Sequence, residues 1–91
     1  MKNRESAALA FDQMTKGLTR GTQEWVILRH LVKIGPITPL DALTEYGCMR
    51  LGARIYDLEH KYPIRIKHEL VGNGKKTYMQ YSLEEDDDAE S

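Results

Sequence analysis

Two arginines near the middle of the chain are spaced four residues apart, and a lysine follows them. Arg50 and Arg54 would lie on one face of a helix containing both, with Lys61 seven residues further along. Like charges at that spacing repel by about 0.2–0.5 kcal/mol unless an anion joins them. A phosphate backbone is one such anion, and an arginine can also bind guanine through two hydrogen bonds. The alternative is internal pairing, in which Arg54 binds Asp57 or Asp41 and Arg50 caps a neighbouring element.

A second set of cations surrounds a predicted hairpin turn. Lys75 and Lys76 follow Asn73, while Arg65 and Lys67 alternate along the preceding stretch. Such a tip suits phosphate contacts; the alternative is a solvated strand face whose lysines protect a sheet edge. Met49, Ala53 and Tyr56 are further candidates for contact, although Tyr56 equally suits the edge of the core. The candidate site residues are Met49, Arg50, Ala53, Arg54, Lys61, Arg65, Lys67, Asn73, Lys75 and Lys76.

Residues suited to catalysis or metal binding are sparse. The three histidines and Cys48 lack the spacing of zinc ligands, and the histidines are expected at the surface or in packing roles. Gly72 and Gly74 lack the third glycine of a dinucleotide-binding loop. The sequence therefore predicts a non-enzymatic protein without a metal or cofactor. Its single cysteine is expected to be a buried thiol in a reducing compartment.

The charge of the chain is divided unevenly between its body and its end. Over 91 residues the net charge is −1, but six acidic residues and no basic ones fall in residues 84–91. Residues 1–83 therefore carry thirteen basic against eight acidic residues. We expect a mildly basic body and a disordered acidic tail that competes with phosphate for Arg50, Arg54, Lys75 and Lys76; the alternative is a tail that only adds solubility. No stretch approaches the roughly 18 apolar residues of a membrane span, which favours a cytoplasmic protein.

Helical periodicity and capping signals predict three helices. The first is capped at Thr22 and closed by Gly35, which precedes a proline. A capping-box-like start and a proline in the first turn predict a short second helix after residue 38, ending at Tyr46. A turn containing glycine then leads to a third helix over residues 49–60. Upstream, residues 1–21 hold a weak amphipathic pattern at residues 6–16. This segment could pack on the body, form a homodimer or stay disordered as an arm.

Beyond Pro63 the hydrophobic period changes from helical to alternating. The run Gly72 to Lys75 predicts a tight hairpin turn, and a second strand follows over residues 77–83. The residues expected to face inward are Ile64, Ile66, Leu70, Met79, Tyr81 and Leu83.

The short turn after Tyr46 determines the predicted fold. Two helices joined by three or four residues with a glycine form a helix-turn-helix, and a following hairpin makes it a winged helix. The prediction is an α+β winged helix-turn-helix domain over residues 22–83, with three helices and a hairpin wing, preceded over residues 1–21 by either an arm or an additional N-terminal helix. The predicted core consists of Trp25, Leu28, Leu31, Leu43, Leu51, Ile55, Leu58, Ile66 and Tyr81.

Three runs of residues resemble a known family. They are Gly35 to Leu43, Tyr46 to Leu51 and Ala53 to Leu58, and they are similar to those of small helix-turn-helix domains encoded mainly by bacteriophages and prophages. The resemblance covers residues 22–83, and it implies a winged-helix fold and DNA binding in the cytoplasm of a bacterial host.

Two functions remain open at this point. The first is a small phage or prophage DNA-binding protein, a transcriptional regulator or DNA-transaction accessory factor. It would read the major groove of double-stranded DNA with helix 49–60 and contact phosphates with the hairpin. The second is a protein-interaction module of the same fold that binds a host or phage protein, which the near-neutral total charge and the acidic tail favour.

Overall fold

Four helices and a two-stranded hairpin make up the computed structural model, which describes residues 2–17 and 22–84. The elements are α1 (Asn3–Lys16), α2 (Gln23–Arg29), α3 (Pro39–Tyr46), α4 (Leu51–Lys61), β1 (Ile66–Asn73) and β2 (Lys76–Leu83). The predicted α+β order of helices followed by a hairpin is confirmed, including the N-terminal helix. Of the predicted acidic tail, residues 85–91 lie outside the described residues.

A π-helical turn over His30–Ile34 continues α2 and ties its end to α3. Gly35, at φ 141°, donates its N–H to the His30 carbonyl at 2.8 Å. The buried His30 ring lies 3.1 Å from the Pro36 carbonyl oxygen through Nε2 and 2.7 Å from the Tyr46 hydroxyl through Nδ1. Because a carbonyl only accepts, Nε2 is the donor and Nδ1 accepts from the hydroxyl. Burial raises the pKa of Tyr46.

α3 has both of its predicted ends. The Thr38 hydroxyl accepts from the Asp41 N–H, and the Asp41 carboxylate accepts from the Thr38 N–H, each at 3.1 Å. These two bonds complete a capping box. Gly47 ends the helix in the left-handed region at φ 66° and ψ 21°, where a Cβ would clash with the backbone. Cys48 follows and is buried, as predicted.

β1 and β2 pair antiparallel around a two-residue turn at Gly74 and Lys75. Asn73 aligns with Lys76 in the last pair of the ladder, so β2 begins one residue earlier than predicted. Gly72 has φ 123°, and a Cβ there would collide with the Lys76 carbonyl oxygen across the ladder. The predicted turn is therefore confirmed, with glycine required at the strand position as well.

A single extended residue outside the hairpin also joins the sheet. Ile37 and Tyr81 exchange two N–H···O bonds of 2.8 Å, which places Ile37 beside β2. Because one residue carries no periodicity, this pairing has no signal in the sequence.

α1 begins three residues before its predicted start because Asn3 links it to the base of the hairpin. The buried Asn3 side chain donates from Nδ2 to the carbonyl oxygens of Arg65 and Glu84, both at 2.8 Å. Its Oδ1 accepts from the Arg65 N–H at 2.6 Å. The other buried residues of α1 are Ser6, Ala7, Ala10 and Met14. Of the three roles left open for this segment, packing on the body is the one observed.

Most of the predicted core lies between the helices and the inner face of the hairpin. Seven of the nine predicted residues are buried: Leu28, Leu31, Leu51, Ile55, Leu58, Ile66 and Tyr81. Trp25 is half-buried, since it stacks on Phe11 with ring centroids 5.6 Å apart and donates its Nε1–H to the Thr15 hydroxyl.

Two inward predictions are wrong, those for Leu43 and Leu70. Leu43 is 47% exposed because Ala42 is the buried residue of α3, and the next residue is rotated about 100° from it around the helix. Leu70 is 65% exposed because the hairpin buries its base, where Ile66 pairs with Leu83, and extends its tip beyond the core.

Shortening Ile55 to alanine should lower the free energy of unfolding by about 2–5 kcal/mol, because its side chain is fully buried on α4. Leu43→Ala is the matched control, and its loss should stay below about 1 kcal/mol since half of that side chain already lies in water. Chemical denaturation of both variants measures the difference. Equal losses would contradict this assignment of the core.

Candidate nucleic-acid interface

The four-residue turn between α3 and α4 holds Arg50 at the start of α4. The Cys48 N–H donates to the Ala42 carbonyl at 3.0 Å, and the Cys48 side chain is buried. Leu51, the first residue of α4, is buried as well. Met49 and Arg50 therefore bridge two buried residues and are themselves exposed. Arg50 has φ −130° and ψ 60°, outside the helical region, so the helix begins at residue 51 rather than at the predicted residue 49.

Arg50 uses its backbone to cap α4 and leaves its side chain open. Its carbonyl accepts from the N–H groups of Ala53 and Arg54, at 3.1 and 3.2 Å. The guanidinium forms no ion pair with any of residues 2–17 or 22–84. Its five N–H donors are thus available to an anion or a base edge. Ala53, one turn further along, is half-buried.

Arg54 and Lys61 contact acidic groups of the protein. Arg54 Nη2 lies 3.3 Å from Asp57 Oδ2, the internal partner that the sequence offered as the alternative to phosphate. Lys61 Nζ donates to both carboxylate oxygens of Glu24 on α2, at 2.9 and 3.0 Å. The hydrogen bond and the negative charge of Glu24 raise the pKa of Lys61. Both side chains carry partners that a nucleic acid would have to displace.

The exposed side of α4 presents an aromatic pair. The rings of Tyr56 and His60 stack with centroids 3.9 Å apart. His60 Nδ1 donates to the Tyr56 carbonyl oxygen at 2.9 Å, which leaves Nε2 open to a ligand. The sequence treated His60 as a surface or packing residue. The sequence signal for this stacked pair is the four-residue spacing between Tyr56 and His60, which brings two side chains together on a helix.

The tip of the hairpin carries two exposed cations. Lys75 lies in the turn and Lys76 begins β2. Neither forms an ion pair with the part of the chain that the structure describes. Asn73 is the strand partner of Lys76. The tip therefore offers positive charge to solvent.

The base of the hairpin differs, because its cations have acidic neighbours. Arg65 Nε lies 3.6 Å from Glu84 Oε1, and Lys67 Nζ lies 3.8 Å from Glu69 Oε2. These pairs are exposed, and exposed ion pairs contribute only about 0–1 kcal/mol. A phosphate can displace such acids, but the net binding free energy is smaller than at an unpaired lysine, because the existing ion pair must first be broken.

The turn before α4 and the tip half of β2 lie on neighbouring parts of the surface. Met49 of the turn and Tyr78 of β2 line one groove. Arg50 follows Met49 directly, and Lys76 is two residues from Tyr78. The three candidate cations without an acidic partner among the described residues are Arg50, Lys75 and Lys76, and they belong to these neighbouring segments.

Within residues 2–17 and 22–84 there is no group of three or more histidine, cysteine or acidic side chains arranged to hold a metal ion. Among the helices of this described part, none has the length and apolar content needed to cross a bilayer.

Glu24→Gln tests whether Glu24 holds Lys61. The pKa of Lys61 should fall toward its ordinary value of 10.5, because the carboxylate that favours the ammonium is gone. The ion pair stabilises the fold only while Lys61 is protonated. The wild type should therefore exceed the variant in stability below about pH 10.5 and lose that advantage as the pH rises through the raised pKa. An NMR titration at Lys61 Nζ gives the pKa, and Glu45→Gln on α3 is the control that should leave it unchanged.

The winged helix-turn-helix domain model matches residues 22–86, a span that includes α2, the α3–α4 unit and the whole hairpin. No curated protein and no solved structure matches the chain. Winged helix-turn-helix domains are typically non-enzymatic and bind DNA. With its glycine turn before α4 and its hairpin after it, this chain belongs to the winged helix-turn-helix domain family.

Proposed function

We propose that the chain binds double-stranded DNA as a small transcriptional regulator or DNA-transaction accessory factor of phage or prophage origin, in the cytoplasm of a bacterial cell. The observation that supports this best is the division among its candidate cations. Arg50, Lys75 and Lys76 have no acidic partner among the described residues, whereas Arg54 and Lys61 are paired. The unpaired cations lie at the start of the second helix and at the wing tip.

Arg50 is the residue best placed to read sequence. In helix-turn-helix proteins the second helix enters the major groove, and its N-terminal residues contact base edges. An arginine there binds the O6 and N7 atoms of guanine through two hydrogen bonds, which discriminate against other bases by about 1–3 kcal/mol. Tyr56 and His60 extend the same exposed side of α4, where the His60 Nε2 atom can meet a base edge or a phosphate.

The wing lysines are suited to a different contact. A lysine ammonium is a compact point charge on a flexible stem, which fits a phosphate but does not distinguish bases. Lys75 lies in the two-residue turn and Lys76 follows it at the start of β2, and both are exposed. Each phosphate that they neutralise should contribute about −0.9 to the slope of log affinity against log salt.

Arg50→Ala and the two lysine variants should therefore fail in different ways. Arg50→Ala should relax the sequence preference on a selected site, with a loss of about 1–3 kcal/mol at the guanine it contacts. Lys75→Ala and Lys76→Ala should weaken binding to all sequences alike, and each should reduce the salt slope by about one. Binding-site selection followed by salt titration of the variants measures both effects.

Lys61→Ala is the matched control for these variants, because Glu24 already holds its ammonium and its removal should change DNA affinity by less than about twofold. Full affinity and sequence preference in Arg50→Ala would mean that α4 does not read DNA. Wild-type protein that does not bind a random duplex at low salt would contradict DNA binding itself, and the protein-interaction hypothesis would then replace it.

The length of the acidic segment after Glu84 determines which cations its carboxylates can contact. Leu83 is seven residues from Lys76 along β2, or about 23 Å. The seven residues 85–91 span at most about 25 Å when fully extended. Their carboxylates can reach Arg65 and Lys67 at the base of the hairpin with less loss of chain entropy than they need to reach the tip. We infer that the tail competes with DNA mainly at the base.

Truncation after Glu84 should tighten non-specific DNA binding several-fold at low salt and leave folding intact. The cut keeps Glu84, whose carbonyl accepts from Asn3 and whose N–H donates to the Arg65 carbonyl. A full-length variant with the five later acids changed to amides keeps the chain length and should match the truncation. Fluorescence anisotropy on a random duplex measures the affinities, and equal binding with and without the tail would rule out the competition.

A further inference from the structure

A groove with apolar walls separates α3 from β2. Its volume is about 790 Å³, within the range of pockets that enclose a ligand. Leu40 and Met49 line it while remaining 68% and 84% exposed, and Leu43 and Tyr78 are each exposed by about half. Apolar side chains gathered at a surface in this way mark a site of interaction.

The side of β2 that borders the groove has unpaired backbone groups. Tyr81 directs its N–H and C=O to Ile37 on this side. Backbone direction alternates along a strand, so Met79 and Thr77 direct theirs to the same side, while Tyr78 bonds to β1. No backbone group within residues 2–17 and 22–84 pairs with the N–H and C=O of Met79 and Thr77 on this edge. The edge is thus a template for another strand.

The groove continues the line of the Ile37–Tyr81 pair. Thr38 and Leu40 follow Ile37 into α3 and form one wall, while Gln80 and Tyr78 precede Tyr81 on β2 and form the other. The chain itself thus contributes one strand residue at this edge and then turns away into a helix. The open positions along β2 extend from Met79 to the wing tip.

We propose that this groove binds an extended peptide segment of a partner protein, which adds as a strand along Thr77–Met79. Main-chain hydrogen bonds to the open edge would supply binding, and pockets for alternate side chains would supply specificity, as in other cases of strand addition. The proposal holds whether or not the chain binds DNA, although Lys75 and Lys76 take part in both interactions.

The walls of the groove define the chemistry of the peptide. Leu40, Leu43 and Tyr78 favour apolar side chains at alternate positions, because residues i and i+2 of a strand point to the same face. Lys75 and Lys76 lie at the tip end of the edge, and neither has an acidic partner among the described residues. A carboxylate at that end of the peptide complements them.

A single strand fits this edge better than a second copy of the chain does. α3 borders the groove on the side away from β2, so the incoming segment must lie between a helix and a strand. A second copy would have to bring its own hairpin and helices into the same space between α3 and β2.

Selection of random seven-residue peptides on the full chain tests the proposal. Enriched peptides should alternate apolar residues and carry an acidic residue near one end. A selected peptide is then remade in two forms, each with N-methyl groups on one of the two alternating sets of backbone nitrogens. Methylation of the set whose N–H groups point to β2 should lower the affinity at least tenfold, because it removes the hydrogen-bond donors. Methylation of the set that points away from β2 should lower it much less.

Leu40→Ser and Tyr78→Ser should each weaken the selected peptide at least tenfold and leave DNA affinity within twofold. Leu70→Ser, which removes a similarly exposed side chain on the other face of the hairpin, is the matched control and should bind the peptide normally. All three positions are exposed, so thermal unfolding should confirm that the variants fold.

Several results would overturn the proposal. These are the absence of enriched peptides, affinity that ignores backbone methylation, and apolar residues enriched at helical rather than alternating spacing. Self-association of the chain that Leu40→Ser abolishes, measured by sedimentation, would assign the groove to a second copy and would equally exclude the peptide.

Discussion

The turn between α3 and α4 depends on two adjacent residues, one with a left-handed backbone and one with a buried side chain. Gly47 adopts a left-handed conformation that costs other residues roughly 1–2 kcal/mol, and Cys48 then turns its side chain into the core. Together they end one helix and anchor the chain before the next. Met49 and Arg50 lie between the buried residues Cys48 and Leu51, and their own side chains are exposed to solvent. The proposed DNA contact and one wall of the groove both follow from this geometry.

Pairing among charged side chains narrows the surface that can attract an anion. On α4 the cations that face α2 or their own helix meet Asp57 and Glu24, and at the base of the hairpin two exposed acids lie near Arg65 and Lys67. Among the candidate cations, those without an acidic partner in the described residues therefore lie at the turn and the wing tip, although residues 1–83 carry a surplus of basic residues. A count of basic residues overstates the size of the binding surface.

The parts of the fold that the sequence predicted correctly depend on short-range chemistry. The capping box of α3, the glycine after Tyr46 and the hairpin turn each need residues within four positions of one another. The missed features join distant residues. Lys61 and Glu24 are 37 residues apart, and Asn3 bonds across 62 and 81 residues.

The wrong prediction for Leu43 has the same origin. The apolar character of a residue does not determine which side of a two-turn helix packs against the core. In α3 the side that packs there is the one that carries Ala42. The candidate site was predicted by residue type in the same way. Its candidate cations were chosen from the sequence alone, but whether each has an acidic partner depends on tertiary contacts. The open strand edge beside Ile37 likewise has no sequence signal, because it results from where the chain leaves the sheet.

The contacts of Asn3 bear on the order in which the molecule opens. They close the longest loops of the described chain, whereas α2, α3, α4 and the hairpin are connected through much shorter loops. The apolar residues that α1 buries are two alanines and Met14, so its release exposes less apolar surface than unfolding of the remaining core does. Detaching α1 recovers the entropy lost in closing these long loops, and it exposes only part of the buried apolar surface. The free energy of detaching α1 is therefore lower than that of global unfolding. Amide protons of α1 should accordingly exchange with solvent through a sub-global opening in which the helix-turn-helix and the wing remain folded.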